Sequence, residues 1–201
     1  LVATSRSGST LFRSYACNML GLLDSGSWLK HNSYSDIESQ DFAKDIHLLK
    51  VLPHYISDSP EEVHEVTKNF TSVWLHREDI VAQFLSHVAR LRTGVNHVYK
   101  VEDRPQIENL SLEATREEFD RFKGKLDCFW NLYHTYHQGE PLISLEYFLA
   151  NPTDNLAKLS NFFDVNSNQV VNIPVPVELG IAYNDKFKNY DEIVEWFANY
   201  E

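Results

Sequence analysis

A chain of 201 residues that is 43% hydrophobic and 23% charged has the composition of a folded globular protein, and disorder is excluded as its main state. Two cysteines, Cys17 and Cys128, exclude a disulfide framework, and no run of about 18 apolar residues exists to cross a membrane as a helix. The net charge of -11, from 29 carboxylates against 18 Lys plus Arg, argues against non-specific binding to nucleic acid, yet leaves room for a small anion held by a few local donors.

In chain order, residues 1–4 read as the end of a buried strand, followed by a polar turn at 5–9 containing Gly8. Residues 10–23 read as a helix with Leu11, Tyr15, Met19 and Leu22 near one face and Gly21 close to its end. The stretch 24–40 is rich in Ser, Asn and Gly and reads as a long loop. An apolar strand at 46–52 is stopped by Pro53. Ser59 as cap and Pro60 at the first helical position open a helix to about residue 69. A strand at 71–75 precedes a helix at 80–91, which Gly94 terminates. Residues 112–136 are mostly helical and end at Gly139. A strand at 142–145, a helix at 152–163, an irregular extended segment at 170–177 and a helix at 189–200 complete the chain.

Strands alternate with helices, and the connections are long enough for right-handed crossovers. This pattern predicts an α/β fold with a mostly parallel central sheet flanked by helices on both faces. The length fits a single domain over residues 1–201, with a helical insertion at about 95–139.

The strongest local signal is Thr4-Ser5-Arg6-Ser7-Gly8-Ser9-Thr10, set between a strand and a helix. A tight turn after a parallel strand aims several backbone N–H groups at one point, and the helix start adds its own unpaired N–H groups and positive dipole end. Gly8 permits close backbone approach. Ser7, Ser9 and Thr10 supply hydroxyls, and Arg6 supplies a counter-charge and a rigid donor fork. That is a phosphate cradle. The plain alternative is a capped helix start with Arg6 in solvent. The loop is not a Walker A motif, because the glycine spacing and the lysine are missing. It is not a Rossmann fingerprint, because one glycine cannot fill three glycine roles.

A second constellation is Arg77, just past the strand at 71–75, with Ser86 nine residues further on, along the following helix. The pair can grip a second phosphate at the C-terminal end of the sheet. The alternative is an Arg77 paired with Glu78 or Asp79.

These two motifs carry a resemblance. Ser5-Arg6-Ser7-Gly8-Ser9-Thr10-Leu11 resembles the 5′-phosphosulfate loop of the sulfotransferases that use 3′-phosphoadenosine-5′-phosphosulfate (PAPS). Arg77 through Ser86 resembles that family's 3′-phosphate element, in a register most similar to the bacterial trehalose-sulfotransferase branch. Ser144-Leu145-Glu146, preceding Asn151-Pro152 and Phe162-Phe163, is a third, less specific likeness. The resemblance implies a P-loop-like three-layer sandwich and a PAPS-dependent sulfotransferase with the product 3′-phosphoadenosine-5′-phosphate (PAP). It implies a hydroxyl or amine acceptor on a small molecule or carbohydrate, and no metal. It also implies that Lys50, at the end of the second strand, approaches the transferred group. The family's C-terminal glycine-rich basic loop has no clear copy, and residues 180–188 are nearest, with Lys186 and Lys188 as phosphate donors. Where the trehalose branch carries a Glu base, this chain has Trp28, with Lys30 and His31 nearby.

Imidazole has the intrinsic pKa of a base near neutrality. His54, just beyond Lys50 and Pro53, is one candidate; His31, Glu38, another acid or no base at all are the alternatives. Trp28, Tyr34, Tyr55, Trp130, Tyr133 and Tyr136 either line an acceptor pocket or pack in the core, as the helical spacing of the later ones suggests. Two functions compete with sulfuryl transfer: a nucleotide-dependent phosphotransferase, and a nucleotide-binding module without catalysis. The nine His residues show no metal-ligand spacing, so no metal is expected. The unpaired cysteines and a cofactor made in the cytosol point to the cytoplasm.

Overall fold

The computed structural model describes residues 1–24, 47–95, 111–165, 183–198 and 200. The chain divides into two compact units, one of Leu1–Glu78 with Lys125–Pro174, the other of Asp79–Gly124 with Val175–Glu201. The architecture is mixed α/β with parallel pairing, and the described residues include seven α-helices.

In the first unit, β1 (Val2–Ala3), β4 (Trp74–His76) and β5 (Leu142–Ser144) form a parallel sheet in the order β1-β4-β5. Val2 stands opposite Trp74, and Trp74 opposite Leu142. On the other edge of β1, Val51 makes a parallel bridge to Val2, its N–H donating to the Leu1 carbonyl at 2.8 Å while Ala3 N–H donates to Val51 at 3.0 Å. The expected strand at 46–52 is therefore divided. Its first part, β3 (His47–Leu48), pairs with β2 (Leu23–Asp24), and Val51 pairs with β1. Residues 25–46, which carry all but the first residue of the loop expected at 24–40, lie outside the described residues, as do residues 166–182 with the extended segment expected at 170–177.

Helix α1 (Ser9–Leu20) is shorter than the sequence suggests, because Gly21 takes φ 66, a left-handed conformation that ends the helix and frees Leu23–Asp24 for β2. Helix α2 (Pro60–Thr67) starts as expected, with Glu62 N–H donating to the Ser59 hydroxyl at 3.4 Å. The strand expected at 71–75 is centred later, at β4. The strand expected to reach Leu145 stops at Ser144, whose hydroxyl accepts from Tyr147 N–H at 3.1 Å and so starts helix α5 (Leu145–Ala150). Helix α4 (Arg116–Tyr136) replaces the longer helix expected from 112, and α6 (Pro152–Phe163) matches its expected bounds.

Strand alternation sends Val2 and Trp74 to one face of the sheet, Ala3 and Leu75 to the other. On the second face, Phe12 and Ala16 of α1, Phe148 of α5 and Leu159 of α6 share a buried cluster with Ala3 and Leu75. On the first face, Val63 of α2 and Phe129, Leu132 and Tyr133 of α4 pack with Val2 and Trp74. Trp74 is fully buried, and its indole N–H donates to Glu140 Oε2 at 2.5 Å, while the other Glu140 oxygen pairs with His137 Nδ1 at 3.1 Å. Those bonds satisfy polar groups whose desolvation is otherwise costly.

In the second unit, α3 (Ile80–Thr93), the first part of α4 and α7 (Tyr190–Ala198) meet through Phe84, Phe119, Phe122 and Phe197, with the Phe119 and Phe197 rings 4.9 Å apart and nearly perpendicular. Gly94, with φ 71, closes α3 where the sequence placed its terminator. Leu112 bridges to Phe187, and Arg92 Nη1 lies 2.6 Å from Glu118 Oε1. Among the described residues no helix is long and apolar enough to cross a membrane.

Candidate functional site

The site begins where β1 stops. Beyond Ala3 the chain turns sharply: Ser7 N–H and hydroxyl both donate to the Thr4 carbonyl, at 3.5 and 2.9 Å. Arg6 adopts φ 63 and Gly8 φ 75, so two left-handed residues reverse the chain into α1. For Arg6 that conformation costs about 1–2 kcal/mol relative to its right-handed alternative. Gly8 is the N-cap of α1 and offers no side-chain cap, and the first intrahelical bond runs from Phe12 N–H to Gly8 O at 2.9 Å. The N–H groups of the first turn thus have no intrahelical acceptor and present the positive end of the helix dipole.

The need for glycine at position 8 has a second cause. A Cβ there would lie 2.5 and 2.6 Å from the two Leu145 methyl carbons. The close approach expected for a ligand is therefore also made by the protein itself, where the start of α5 packs on the turn. Ser7 is fully buried, and its hydroxyl locks the turn. Ser9 and Thr10 are buried at 7% and 6% exposure, so their hydroxyls lie within the packed turn.

Two residues from the next segment come to this loop. Lys50, between β3 and the Val51 bridge, donates from Nζ to Thr10 Oγ1 at 3.3 Å. His54 sits in a 3-10 turn, Pro53–Tyr55, with Nε2 3.2 Å from Ser5 Oγ. Buried Pro53 fixes the start of that turn, and the His54 and Tyr55 rings pack at 4.6 Å. Arg6, Gly8, Thr10, Lys50 and His54 thus gather at the end of β1. A cation and an imidazole beside a helix N-terminus make a site suited to an anion and to proton transfer from a bound hydroxyl.

Arg77 lies one residue beyond β4, at the same C-terminal end of the parallel sheet. Its partner is neither Glu78 nor Asp79. Glu146 Oε1 stands 3.5 Å from Arg77 Nε, and Glu146 Oε2 accepts from Glu78 N–H at 3.0 Å. Asp79 instead caps α3 through Ala82 N–H at 2.8 Å. Beside Arg77, the pKa of His76 is lowered by burial, against the raising effect of the Glu146 and Glu78 carboxylates. The sequence reading did not assign Glu146 to Arg77. The signal that finds it is positional: Arg77 and Glu146 each follow closely on the ends of neighbouring parallel strands.

Of the other expected residues, some belong to the second unit and some lie outside the described residues. Ser86 is buried on α3 in the second unit. Lys186 and Lys188 also belong to the second unit, where their backbones pair with Leu112 at 2.7 and 2.9 Å. Lys188 lines an open cavity of about 640 Å³ together with Asp185, Asp191 and Glu192, so carboxylates outnumber cations there. His31 lies outside the described residues, with Trp28, Lys30, Tyr34 and Glu38. Tyr133 belongs to the core, with Trp130 packed against that cluster, whereas Tyr136 stacks on His64 at 4.1 Å. Among the described residues no group of three or more His, Cys, Asp or Glu is arranged to hold a metal ion.

No family model, no curated protein and no solved structure matches this chain.

Proposed function

We propose that the chain is a PAPS-dependent sulfotransferase on a P-loop-like three-layer sandwich, transferring a sulfuryl group to a hydroxyl or amine of a small-molecule or carbohydrate acceptor. The observation that carries this reading is the convergence of Lys50 and His54 on the Ser5–Thr10 turn. A phosphate cradle alone fits many ligands. A cradle with an amine at Thr10 and an imidazole at Ser5 has the groups that transfer to a hydroxyl requires: charge stabilisation on one side and a proton acceptor on the other. Gly8, the N-cap of α1, makes no side-chain cap at that helix start, which supports placing the cofactor's 5′ end there.

When bound, PAPS supplies the sulfuryl group. In this reading the backbone N–H groups at Gly8, Ser9 and Thr10, with the Arg6 guanidinium, hold the 5′-phosphosulfate. Lys50 Nζ, already oriented by Thr10 Oγ1, stabilises the charge that builds on the departing phosphate oxygen. His54 Nε2 accepts the acceptor's proton once the acceptor hydroxyl has taken the place of Ser5 Oγ beside it. Arg77 holds the 3′-phosphate.

Calorimetry with PAP, ATP and AMP tests the cofactor, followed by a turnover screen of sugars, phenols and amines with labelled PAPS. The expected result is binding of PAP in preference to ATP and AMP, and transfer to at least one acceptor. ATP preferred over PAP identifies a phosphotransferase instead. PAP binding without transfer to any acceptor leaves a binding module.

A further inference from the structure

Arg77 already has an anion beside it. Glu146 projects from the first turn of α5, which begins directly after β5 because Ser144 caps it. Its two oxygens divide between the exit of β4 and the guanidinium: Oε2 accepts from Glu78 N–H at 3.0 Å, and Oε1 lies 3.5 Å from Arg77 Nε. The two contacts differ in quality. The backbone contact is a hydrogen bond of ordinary length, whereas Arg77 Nε is buried and its pairing with Glu146 lacks hydrogen-bond geometry. Glu146 therefore brings a countercharge to Arg77 without the directional bond that makes arginine–carboxylate pairs strong.

We propose that Glu146 is a specificity-determining residue of the Arg77 anion site, a built-in carboxylate whose negative charge weakens the grip of Arg77 on a phosphate monoester and so favours its release. This rests on the reading of Arg77 as the 3′-phosphate residue. A phosphate at Arg77 shares the guanidinium with Glu146 and is repelled by it at short range. Side chains exposed by only 23% and 35% put the Arg77–Glu146 pair partly out of water, where screening is reduced. The carboxylate is held in place by Glu78 N–H, so it cannot simply swing away when a phosphate arrives. A transferase that must discharge a product bearing the same 3′-phosphate as its substrate gains turnover from such a brake on affinity.

The test measures PAP and AMP binding and the PAP dissociation rate for the parent, Arg77→Ala, Glu146→Gln, Glu146→Asp and the double variant Arg77→Ala/Glu146→Gln. Glu146→Gln keeps the shape and a carbonyl oxygen for Glu78 N–H but removes the charge. It should tighten PAP by about 5–10-fold, a gain of roughly 1–1.4 kcal/mol. The change should lie mainly in a slower dissociation rate, with AMP binding unaltered. Glu146→Asp keeps the charge and should stay near the parent. In the Arg77→Ala background the gain from the Gln substitution should be smaller, because competition for the guanidinium is gone and only direct repulsion remains; a merely structural role of Glu146 would not produce this dependence on Arg77. Unchanged or weaker PAP binding for Glu146→Gln, or equal tightening by Glu146→Asp, overturns the inference while leaving the sulfotransferase reading intact. A parent that binds no PAP overturns both, and does so before any variant is compared.

Discussion

Lys50 and Thr10 are joined across 40 residues of chain, the lysine ammonium donating to the threonine hydroxyl at 3.3 Å. The contact ties the segment that ends in the Val51 bridge to the first turn of α1, and it orients a cation at a helix N-terminus. His54 makes the parallel connection to Ser5 from the following 3-10 turn. The residue just before the Val51 bridge and the 3-10 turn just after it thus deliver a charge and an imidazole to one loop.

Lys50 and His54 should separate in their effects. Lys50→Ala removes a donor from the leaving side and should lower turnover by about 10²–10³-fold, the usual scale for one preorganised donor. His54→Ala should lower turnover by roughly 10²–10⁴-fold with PAP affinity nearly unchanged, and should remove an ascending limb near the imidazole pKa from the rate profile. Steady-state rates against pH, with His31→Ala and Glu38→Gln measured alongside, check the assignment. A near-normal rate for His54→Ala beside a collapsed rate for either control moves the base to the 25–46 segment.

Arg77→Ala should weaken PAP far more than AMP, because AMP lacks the 3′-phosphate. Losing a charged hydrogen-bond partner costs about 1.5–3 kcal/mol. Equal losses for the two nucleotides in calorimetry would remove Arg77 from the 3′ site.

Gly8→Ala should destabilise the protein in two separable ways. The left-handed φ of 75 penalises any L side chain, and the added Cβ would meet Leu145 at 2.5 Å. The backbone part alone amounts to about 1–2 kcal/mol. Adding Leu145→Ala to Gly8→Ala should recover the collision part but not the backbone part, so chemical denaturation of the double variant should show a loss smaller than the sum of the two singles. Additive losses would show that the Gly8–Leu145 contact is not the cause.

Stability should fall as the solution is acidified from neutrality. Burial lowers the pKa of His76 below its ordinary value of 6.5, opposed in part by Glu146 and Glu78. The unfolded chain therefore binds the proton more readily than the folded one, and unfolding free energy rises with pH across that window. The contribution is complete above pH 6.5 and is lost as pH falls through the depressed folded value. His76→Gln should flatten this part of a denaturation series between neutral and mildly acidic pH, and an unchanged slope would exclude His76 as its source.

Sequence alone determined the features whose physics is local. The Ser59-Pro60 start of α2, the Gly94 stop of α3 and the bounds of α6 follow from capping, fixed φ and left-handed glycine, which act within a turn of chain. The alternation of strand and helix likewise implied parallel pairing, since parallel strands need long crossovers. Gly21 was legible as a helix end, but the short strand that follows it was not, because Leu23–Asp24 becomes β2 only by pairing with His47–Leu48 far along the chain.

The candidate site divides in the same way. The Ser5–Thr10 turn and Arg77 could be picked out from their positions after strands. That Leu145 packs on Gly8, that Lys50 reaches Thr10, that His54 reaches Ser5 and that Glu146 faces Arg77 could not. Each of those contacts joins residues dozens of positions apart, and each depends on which strand lies beside which and where each one ends. Strand order and register are set by the burial of whole faces, Val2 with Trp74 on one side and Ala3 with Leu75 on the other. That is a property of the packed sheet, so only the tertiary structure decides which of the chemically capable residues meet.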